Sequence, residues 1–509
     1  MSQSSRKEGL VDLKQLGLIA SIASLSYVFW IVGAMEMVER LAYYGVRAVA
    51  GLYAKSPLSE GGLGVTPSQF GTVLMIWSAF QGFVPIFVGG LADRYGYKIT
   101  IAASTAVKIS GYLVMATWTH FWGFLAGAVL LATGTAIFKP GIQGTLVKST
   151  NRQNSSMAWG IFYQTVNIGG FIGPLLAGLM RKMSWHYVFL SCAAIISMNF
   201  LLLLTYQEPG IEERLERERE LKASGEKRAS LAAETFRELL RPELGIFLAI
   251  FTGFYFMFFS LFDVLPLHLD DWVDSHDIVQ TVSQYLDVNS KIVSFLFILD
   301  KTGQHIQPEG LLNVNAGLIM LTCFFFAWLS SRLPILRSIA LGIALASLSL
   351  CLIGLTTAGW WAVAAISVFS VGEMLSSPKF GEFVGGHLAP SDKKAMYLGL
   401  SQMSFAIGST IEGKVGAALY GTYASKERFA REMLADRGLL TPDAIASIPQ
   451  GEAFKKLVDL LGQTPQQVTK TLYDMHHVGM IWFLMAGVGI ATVVLLLGYA
   501  SWLQRRDEG

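Results

Sequence analysis

The feature that most constrains this chain is an apolar stretch of about 20 residues, the length a helix needs to cross a bilayer, recurring between short polar segments. Such stretches run near 26–54, 66–91, 98–117, 121–141, 156–178 and 185–206, then near 243–266, 310–331, 335–356, 359–388, 395–421 and 477–503. Two sets of six predict an all-α membrane protein with about 12 transmembrane helices. An N-terminal half at 1–206 and a C-terminal half at 243–509 are joined by a charged linker at 207–242. Composition agrees, with 52% hydrophobic and only 15% charged residues, where a soluble chain carries about 25% charged. The lipid bilayer is therefore one partner. A net charge of +2 gives no strong pull on nucleic acid.

Positive charge beside short loops sets orientation. Arg6, Lys7 and Lys14 put the N-terminus in the cytoplasm, and Arg94, Lys98, Lys148, Arg152, Arg332, Arg337, Lys393, Lys394, Arg505 and Arg506 fall on the same side. Twelve crossings return the C-terminus there too. The expected location is the cytoplasmic (cell inner) membrane. Arg181 and Lys182 are exceptions on the outer side. The chain starts polar and its first apolar run continues into a full span, so no cleavable signal peptide is expected. Leu16–Leu25 reads either as an interfacial helix or as an extension of that span. The mixed-sign run Ile211–Leu221 reads as a solvated linker helix rather than a docking surface.

Two outer segments are long. Residues 269–309 are rich in acid (Asp270, Asp271, Asp274, Asp277), and 422–476 contain Thr441-Pro442 and Thr464-Pro465. Threonine followed by proline is a helix-start signal, so small extracytoplasmic helices forming a cap are expected. Cys192, Cys323 and Cys351 sit in apolar runs at no metal or redox spacing. His476-His477 reads as interfacial rather than metal-binding.

The first span carries Glu36, Glu39, Arg40 and Arg47. An ionisable residue at the bilayer centre costs about 2.5–3.5 kcal/mol, so four of them require a cavity or one another. Glu36, Arg40, Tyr43 and Arg47 fall on one narrow helical stripe, with Glu36 four residues before Arg40 in the favourable order for an ion pair. The stripe either serves a polar cavity or merely locks helix packing; four charges favour the cavity. Further charges lie within or at the ends of other spans: Lys139 before Pro140 at the end of the fourth, Asp263 in the seventh, Glu373 in the tenth, and Glu412 and Lys414 in the eleventh. Lys379 and Glu382, three apart, are expected to pair with each other. Cations near the site fall in the first half and anions in the second, which suits a zwitterionic or carboxylate-bearing solute.

These residues carry a resemblance. Glu36-Met-Val-Glu39-Arg40 with Tyr43-Tyr44-Gly45-Val46-Arg47 resembles the ExxER…YYG signature of the proton-dependent oligopeptide transporter (POT) family of the major facilitator superfamily. Phe162–Gly170 around Asn167, Gly134–Pro140 with Lys139, and Gly372-Glu373…Ser377-Pro378 with Leu388-Ala389-Pro390 resemble its fifth-, fourth- and tenth-helix segments, and Asn315 its eighth-helix asparagine. Gly89–Lys98 resembles the superfamily's loop motif. The resemblance implies the major facilitator fold and proton coupling through Glu36, Glu39, Arg40 and Lys139. In relatives, the residues matching Arg40 and Lys139 hold a substrate carboxylate and pair with the first-helix acids. Glu373 matches the one that receives an amino group, and Tyr44, Arg47, Asn167 and Asn315 match residues lining the cavity. Asp263, lying a turn beyond the family's usual polar pair, is expected to gate the outer side with Arg47, and Glu412 is assigned to the same gate.

The sequence departs from the family at the Phe-rich seventh span, Phe254–Asp263, at Phe83 in place of a tyrosine, and at Ala316 in place of a proline. The expected function is proton-coupled symport of di- or tripeptides or a related small zwitterionic or carboxylate solute. The alternative is a proton-driven antiporter exporting amphipathic compounds. A receptor built on the outer cap, or an enzyme, fits less well: catalytic dyads, metal-spaced histidines and nucleotide loops are missing from the sequence. No cofactor beyond the coupling proton, no metal and no obligatory protein partner are expected.

Overall fold

The computed structural model describes residues 22–150, 154–212, 216, 219, 237–288, 290–390 and 394–508. Twelve of its helices have 19 residues or more. The first six are α1 (Tyr27–Lys55), α2 (Pro67–Tyr95), α3 (Tyr97–Thr117), α4 (Phe121–Lys148), α5 (Ser155–Arg181) and α6 (Trp185–Leu204). Next come α7 (Pro242–Asp263), three short helices α8 (Leu265–Trp272), α9 (His276–Ser283) and α10 (Lys291–Phe297), then α11 (Pro308–Ser331), α12 (Ile335–Ile353) and α13 (Gly359–Phe383). A π-helical turn at Val384–Leu388 ends α13, and α14 (Lys394–Tyr423) follows. Four more short helices, α15 (Lys426–Asp436), α16 (Pro442–Ala446), α17 (Ala453–Leu461) and α18 (Pro465–Met475), precede α19 (Met480–Glu508). Seven of the twelve long helices are long and apolar enough to cross a membrane by length and composition alone. Large apolar side chains such as Leu204, Leu321, Trp122 and Val494 point outward, 81%, 78%, 68% and 63% exposed, as a lipid-facing wall requires.

Local sequence explains the helix ends. Ser26 and Ser184 cap α1 and α6 by accepting from Phe29 and His186 backbone N–H groups. Thr66 and Gln69 close a capping box before Pro67. The Glu208 carboxylate accepts from the Tyr97 and Lys98 N–H groups at 3.0 and 3.2 Å, placing negative charge at the positive end of α3. Apolar runs underestimate two helices: α2 continues to Tyr95 rather than 91 and α4 to Lys148 rather than 141, because backbone hydrogen bonding continues after the side chains turn polar. Lys139-Pro140 therefore lies inside α4 and does not end it.

Two seams join the first six long helices to the last six. In one, α2 meets α14, where a Cβ on Gly82 would lie 2.3 Å from Ala406 Cβ and one on Gly413 2.7 Å from Leu74 Cβ. In the other, α5 meets α11: Gln164 Nε2 donates to Met320 O at 2.8 Å and Asn313 Nδ2 to Phe171 O at 2.8 Å. The short helices gather at one end, here the capped end. Thr441 caps α16, and Thr464 forms a capping box with Gln467 at α18, as the Thr-Pro pairs predict. Phe429, Met433, Leu457, Val468 and Leu472 form the cap's apolar centre. His476 stacks on Phe429 at 3.7 Å between ring centroids, a packing role in keeping with its interfacial reading. Trp272 Nε1 donates to Ala424 O at 2.8 Å, tying the two cap segments together. Most of Leu16–Leu25, most of Ile211–Leu221 and the side chains of Asp93 and Arg94 lie outside the described residues.

Candidate functional site: a charged cavity between the seams

The first helix fixes the site. On α1, Glu36, Glu39, Arg40 and Arg47 are all buried, none more than 6% exposed. Arg40 Nε lies 3.0 Å from Glu36 Oε1, and Arg40 Nη2 lies 2.5 Å from Glu39 Oε2. The guanidinium also stands 5.3 and 5.9 Å from the Tyr43 and Tyr44 ring centres, within cation–π range. A close α1–α5 contact permits this arrangement. A Cβ on Gly169 would lie 2.8 Å from Arg40 Cβ, and one on Gly173 2.5 Å from Leu41 O, so only glycine fits at either position.

A residue that sequence reasoning missed completes the cluster. Lys108, on α3 and 1% exposed, places Nζ 3.1 Å from Glu39 Oε1 and 3.9 Å from the Phe138 ring centre. Thr135 Oγ1 donates to the same Glu39 oxygen at 3.4 Å. The signal was present, since a lone lysine in an apolar span demands a partner. The resemblance names Lys139 as a lysine that pairs with these acids; the lysine within ion-pair range of Glu39 is Lys108. Lys139 makes no ion pair within 4.0 Å among the described residues. It faces the Phe405 ring at 5.8 Å, leaving its ammonium open to the cavity.

That cavity holds about 190 Å³ and is lined by Arg40, Tyr44, Arg47, Lys139 and Asn167 from the first helices and by Asn315 and Glu373 from the later ones. Seven of the site residues predicted from sequence are thus brought together around one space. Asn315 Nδ2 donates to Glu373 Oε2 at 3.1 Å and to Ser370 Oγ at 3.0 Å, which aims the carboxylate. Phe258, Phe259 and Phe262 of α7, with Phe405, make an apolar wall. Gln81, unremarked in the sequence, accepts from the Tyr43 hydroxyl at 2.8 Å. Lys379 pairs with Glu382 at 2.6 Å and takes no part.

Three sets of ion pairs cross between the seams toward the capped end. Arg47 pairs with Asp263 at the base, with Glu412 facing the pair. Above it, Lys55 Nζ lies 2.5 Å from Asp270 and 2.7 Å from Asp271. Arg181 Nη1 lies 2.7 Å from Glu309 Oε1, which accounts for one cation out of place in the loop-charge pattern. Burial raises the Asp270 carboxyl, but Lys55 and then Arg181 outweigh it and hold the group below its ordinary value. The capped end is closed in this structure. Above the pairs lies an open, mixed-charge vestibule of about 1040 Å³ under the cap. Among the described residues no group of three or more His, Cys, Asp or Glu side chains is placed to hold a metal.

Comparisons with known proteins agree with this architecture. A peptide transporter of Yersinia enterocolitica is 30% identical over 161 residues, 30% of this chain and 31% of that protein, so the match spans about a third of the relative. The multidrug resistance protein MdtH of Yersinia pestis is 21% identical over 365 residues, 71% of this chain and 80% of that protein. Among solved structures, the peptide transporter POT in complex with alafosfalin superposes with a TM-score of 0.65 at 18% identity, covering 94% of this chain and 95% of that one. A POT family transporter in complex with 5-aminolevulinic acid gives 0.63 at 16% identity, over 92% and 95% of the two chains. The family description of the Major Facilitator Superfamily matches residues 37–411. The twelve long helices, the buried charges facing a cavity between two seams and this match together make the chain a multi-pass membrane protein of the Major Facilitator Superfamily.

Proposed function

We propose that the chain is a proton-coupled symporter that imports di- or tripeptides, or a related small zwitterionic or carboxylate solute, by alternating access. The observation that carries this reading is a charge count. Three cations, Arg40, Lys108 and Lys139, gather around two carboxylates, Glu36 and Glu39. The excess positive charge calls for an anion, and Lys139 stands ready for it. Across the cavity, Glu373 presents a carboxylate toward a substrate's ammonium, held by Asn315. Tyr44, Arg47 and Asn167 complete the lining.

Coupling follows from competition. Glu36 stays ionised while Arg40 pairs with it. A substrate carboxylate that takes Arg40 and Lys139 leaves Glu36 buried without its partner, and Glu36 then binds a proton. Glu39 keeps Lys108 and its charge. Neutralising Glu36 lowers the cost of closing the cavity, so proton and solute move together. Residues 1–206 and 243–509 act as the rocking halves around a central site, joined by 207–242, and Arg47, Asp263 and Glu412 form a gate. The loop charges support cytoplasmic termini in a cell inner membrane, with the capped end outside. The likeness to POT structures supports the same reading, and no cofactor beyond the proton is invoked.

A second reading, proton-driven export of small amphipathic compounds, draws on the aromatic wall and on the likeness to MdtH. Proteoliposomes separate the two. Adding dipeptide outside, with no gradient imposed, acidifies the lumen for a symporter. An alkaline shift identifies an antiporter, and no pH change for any substrate overturns proton coupling.

A further inference from the structure

The open vestibule under the cap, about 1040 Å³, has no part in the coupling scheme. Its walls carry both signs of charge, but the two signs are not in the same condition. The carboxylates are occupied. Asp270 and Asp271 share Lys55, and Asp474 pairs with Lys470 at 3.0 Å. Asp300 accepts from Thr302 Oγ1 at 2.7 Å and from the Gln304 N–H at 3.0 Å. Asp274 accepts from the His276 N–H at 2.9 Å, and Glu60 is exposed to water. Three lining cations, Lys182, Lys301 and Lys426, have no carboxylate within 4.0 Å among the described residues.

Lys426 is placed to hold a ligand. It is the first residue of α15, after the N-cap Ser425, where a cation opposes the positive end of the helix dipole. Pro465 and Gln466, in the first turn of α18, line the same space and add a second positive helix end. The ammonium donates to Thr469 Oγ1 at 3.2 Å and lies 4.6 and 5.3 Å from the Phe454 and Trp272 ring centres. Trp272 in turn packs on Tyr473 at 5.8 Å. Tying the cap segments together would account for the rings and the hydroxyl. It does not account for a charge left without a counter-ion beside two positive helix ends and facing an open space. An anion there meets all three, and the rings offer apolar surface to the rest of its body. The acids of α8 stand nearby and repel a dianion more strongly than a monoanion, which selects a carboxylate over a phosphate.

We propose that the vestibule is a second binding site, in which Lys426 holds the carboxylate of a small solute with an apolar body while the capped end below it is closed. The vestibule acids keep their own partners, so this site reads the carboxylate and ignores an amino group, whereas the central cavity reads both. A solute held there waits beside the Lys55 and Arg181 ion pairs and enters when they part. That this solute is the transported one rests on the symport reading above.

The test uses the full chain in lipid nanodiscs. Lysines are methylated with formaldehyde and cyanoborohydride, and peptide mass spectrometry reads the extent at each position. The probe is N-acetyl-alanyl-phenylalanine, which has a carboxylate and no amine to react. Its C-terminal amide, and sodium sulfate at equal ionic strength, are the controls. The probe is expected to slow methylation of Lys426 severalfold and the controls to leave it unchanged. Lys455 and Lys456, exposed on α17 and outside the vestibule lining, should react equally throughout. Protection should persist in Lys139→Met, which removes the open ammonium of the central cavity. Equal protection by the amide or by sulfate overturns the proposal, as does an unprotected Lys426 or loss of protection in Lys139→Met. In transport, Lys426→Met is expected to raise KM severalfold for entry from the capped side, with Lys426→Arg restoring it; an unchanged KM overturns the waiting role. Failure of the symport reading shows separately, as an absence of uptake with the protection of Lys426 intact.

Discussion

Lys108 on α3 and Glu39 on α1 form an ion pair at 3.1 Å in which neither side chain is more than 1% exposed. Removing one partner of a buried pair typically costs about 3–5 kcal/mol, whereas removing both is far milder. Lys108→Met is therefore expected to lower the melting temperature of the purified protein sharply, and Lys108→Met/Glu39→Gln to recover most of the loss. A double variant no more stable than the single one would show that Lys108 acts through something other than Glu39.

Glu36 has no such lysine, so its ionisation depends on Arg40, the residue assigned to the substrate carboxylate. Glu36→Gln is expected to abolish accumulation driven by a proton gradient while leaving some substrate exchange. Counterflow alongside uphill uptake in proteoliposomes distinguishes the two activities.

Glu373 is aimed by Asn315 and stands alone on its side of the cavity. Glu373→Gln is expected to raise KM about tenfold, roughly 1.4 kcal/mol, for substrates with a free amino group. Affinity for their N-acetylated analogues should change little. Competition assays with the two series provide the measurement, and an equal loss for both would remove Glu373 from ammonium recognition.

The α1–α5 contact predicts a packing effect on function. A methyl at Gly173 would press within 2.5 Å of Leu41 O, and two backbones must separate to admit it. Gly173→Ala is expected to shift Arg40 and reduce transport by at least tenfold with the protein still folded. Size-exclusion profiles and uptake rates read the two consequences independently.

In the cap, Lys426 lies 5.3 and 4.6 Å from the Trp272 and Phe454 ring centres. Burial lowers it to about 8, with Asp271 opposing only in part. The unfolded lysine holds its proton up to about 10.4, so between those two values the unfolded cap binds more protons. Cap stability is expected to rise with pH across that window and to level off above it. Chemical denaturation followed by Trp272 fluorescence checks this, and Lys426→Met should flatten the curve.

The apolar runs located all twelve long helices, and the Thr-Pro pairs located two cap helices, because both signals are local. The stripe of Glu36, Arg40, Tyr43 and Arg47 pointed to a cavity, and the expectation that Arg47 pairs with Asp263 came from the family resemblance, in which Asp263 stands in for a seventh-helix polar pair. Lys108 escaped the same logic: its partner is 69 positions away, and Lys139 carried a family motif that drew the pairing to itself. Lys55 with Asp270 and Asp271 escaped because those acids read as part of an acid-rich outer segment belonging to the cap. Helix α4 was cut short because Pro140 resembled an end, whereas neighbouring helices hold the chain helical through it.

Arg40 lies 13 positions into the 29-residue α1 and Glu373 14 positions into the 25-residue α13, so each charge stands near the middle of a long helix. The cavity is thus polarised in the membrane plane, across the gradient of the transmembrane potential rather than along it. Under the proposed symport, a zwitterion settling between its walls traverses little of that potential, and the electrical work of transport falls on the proton instead.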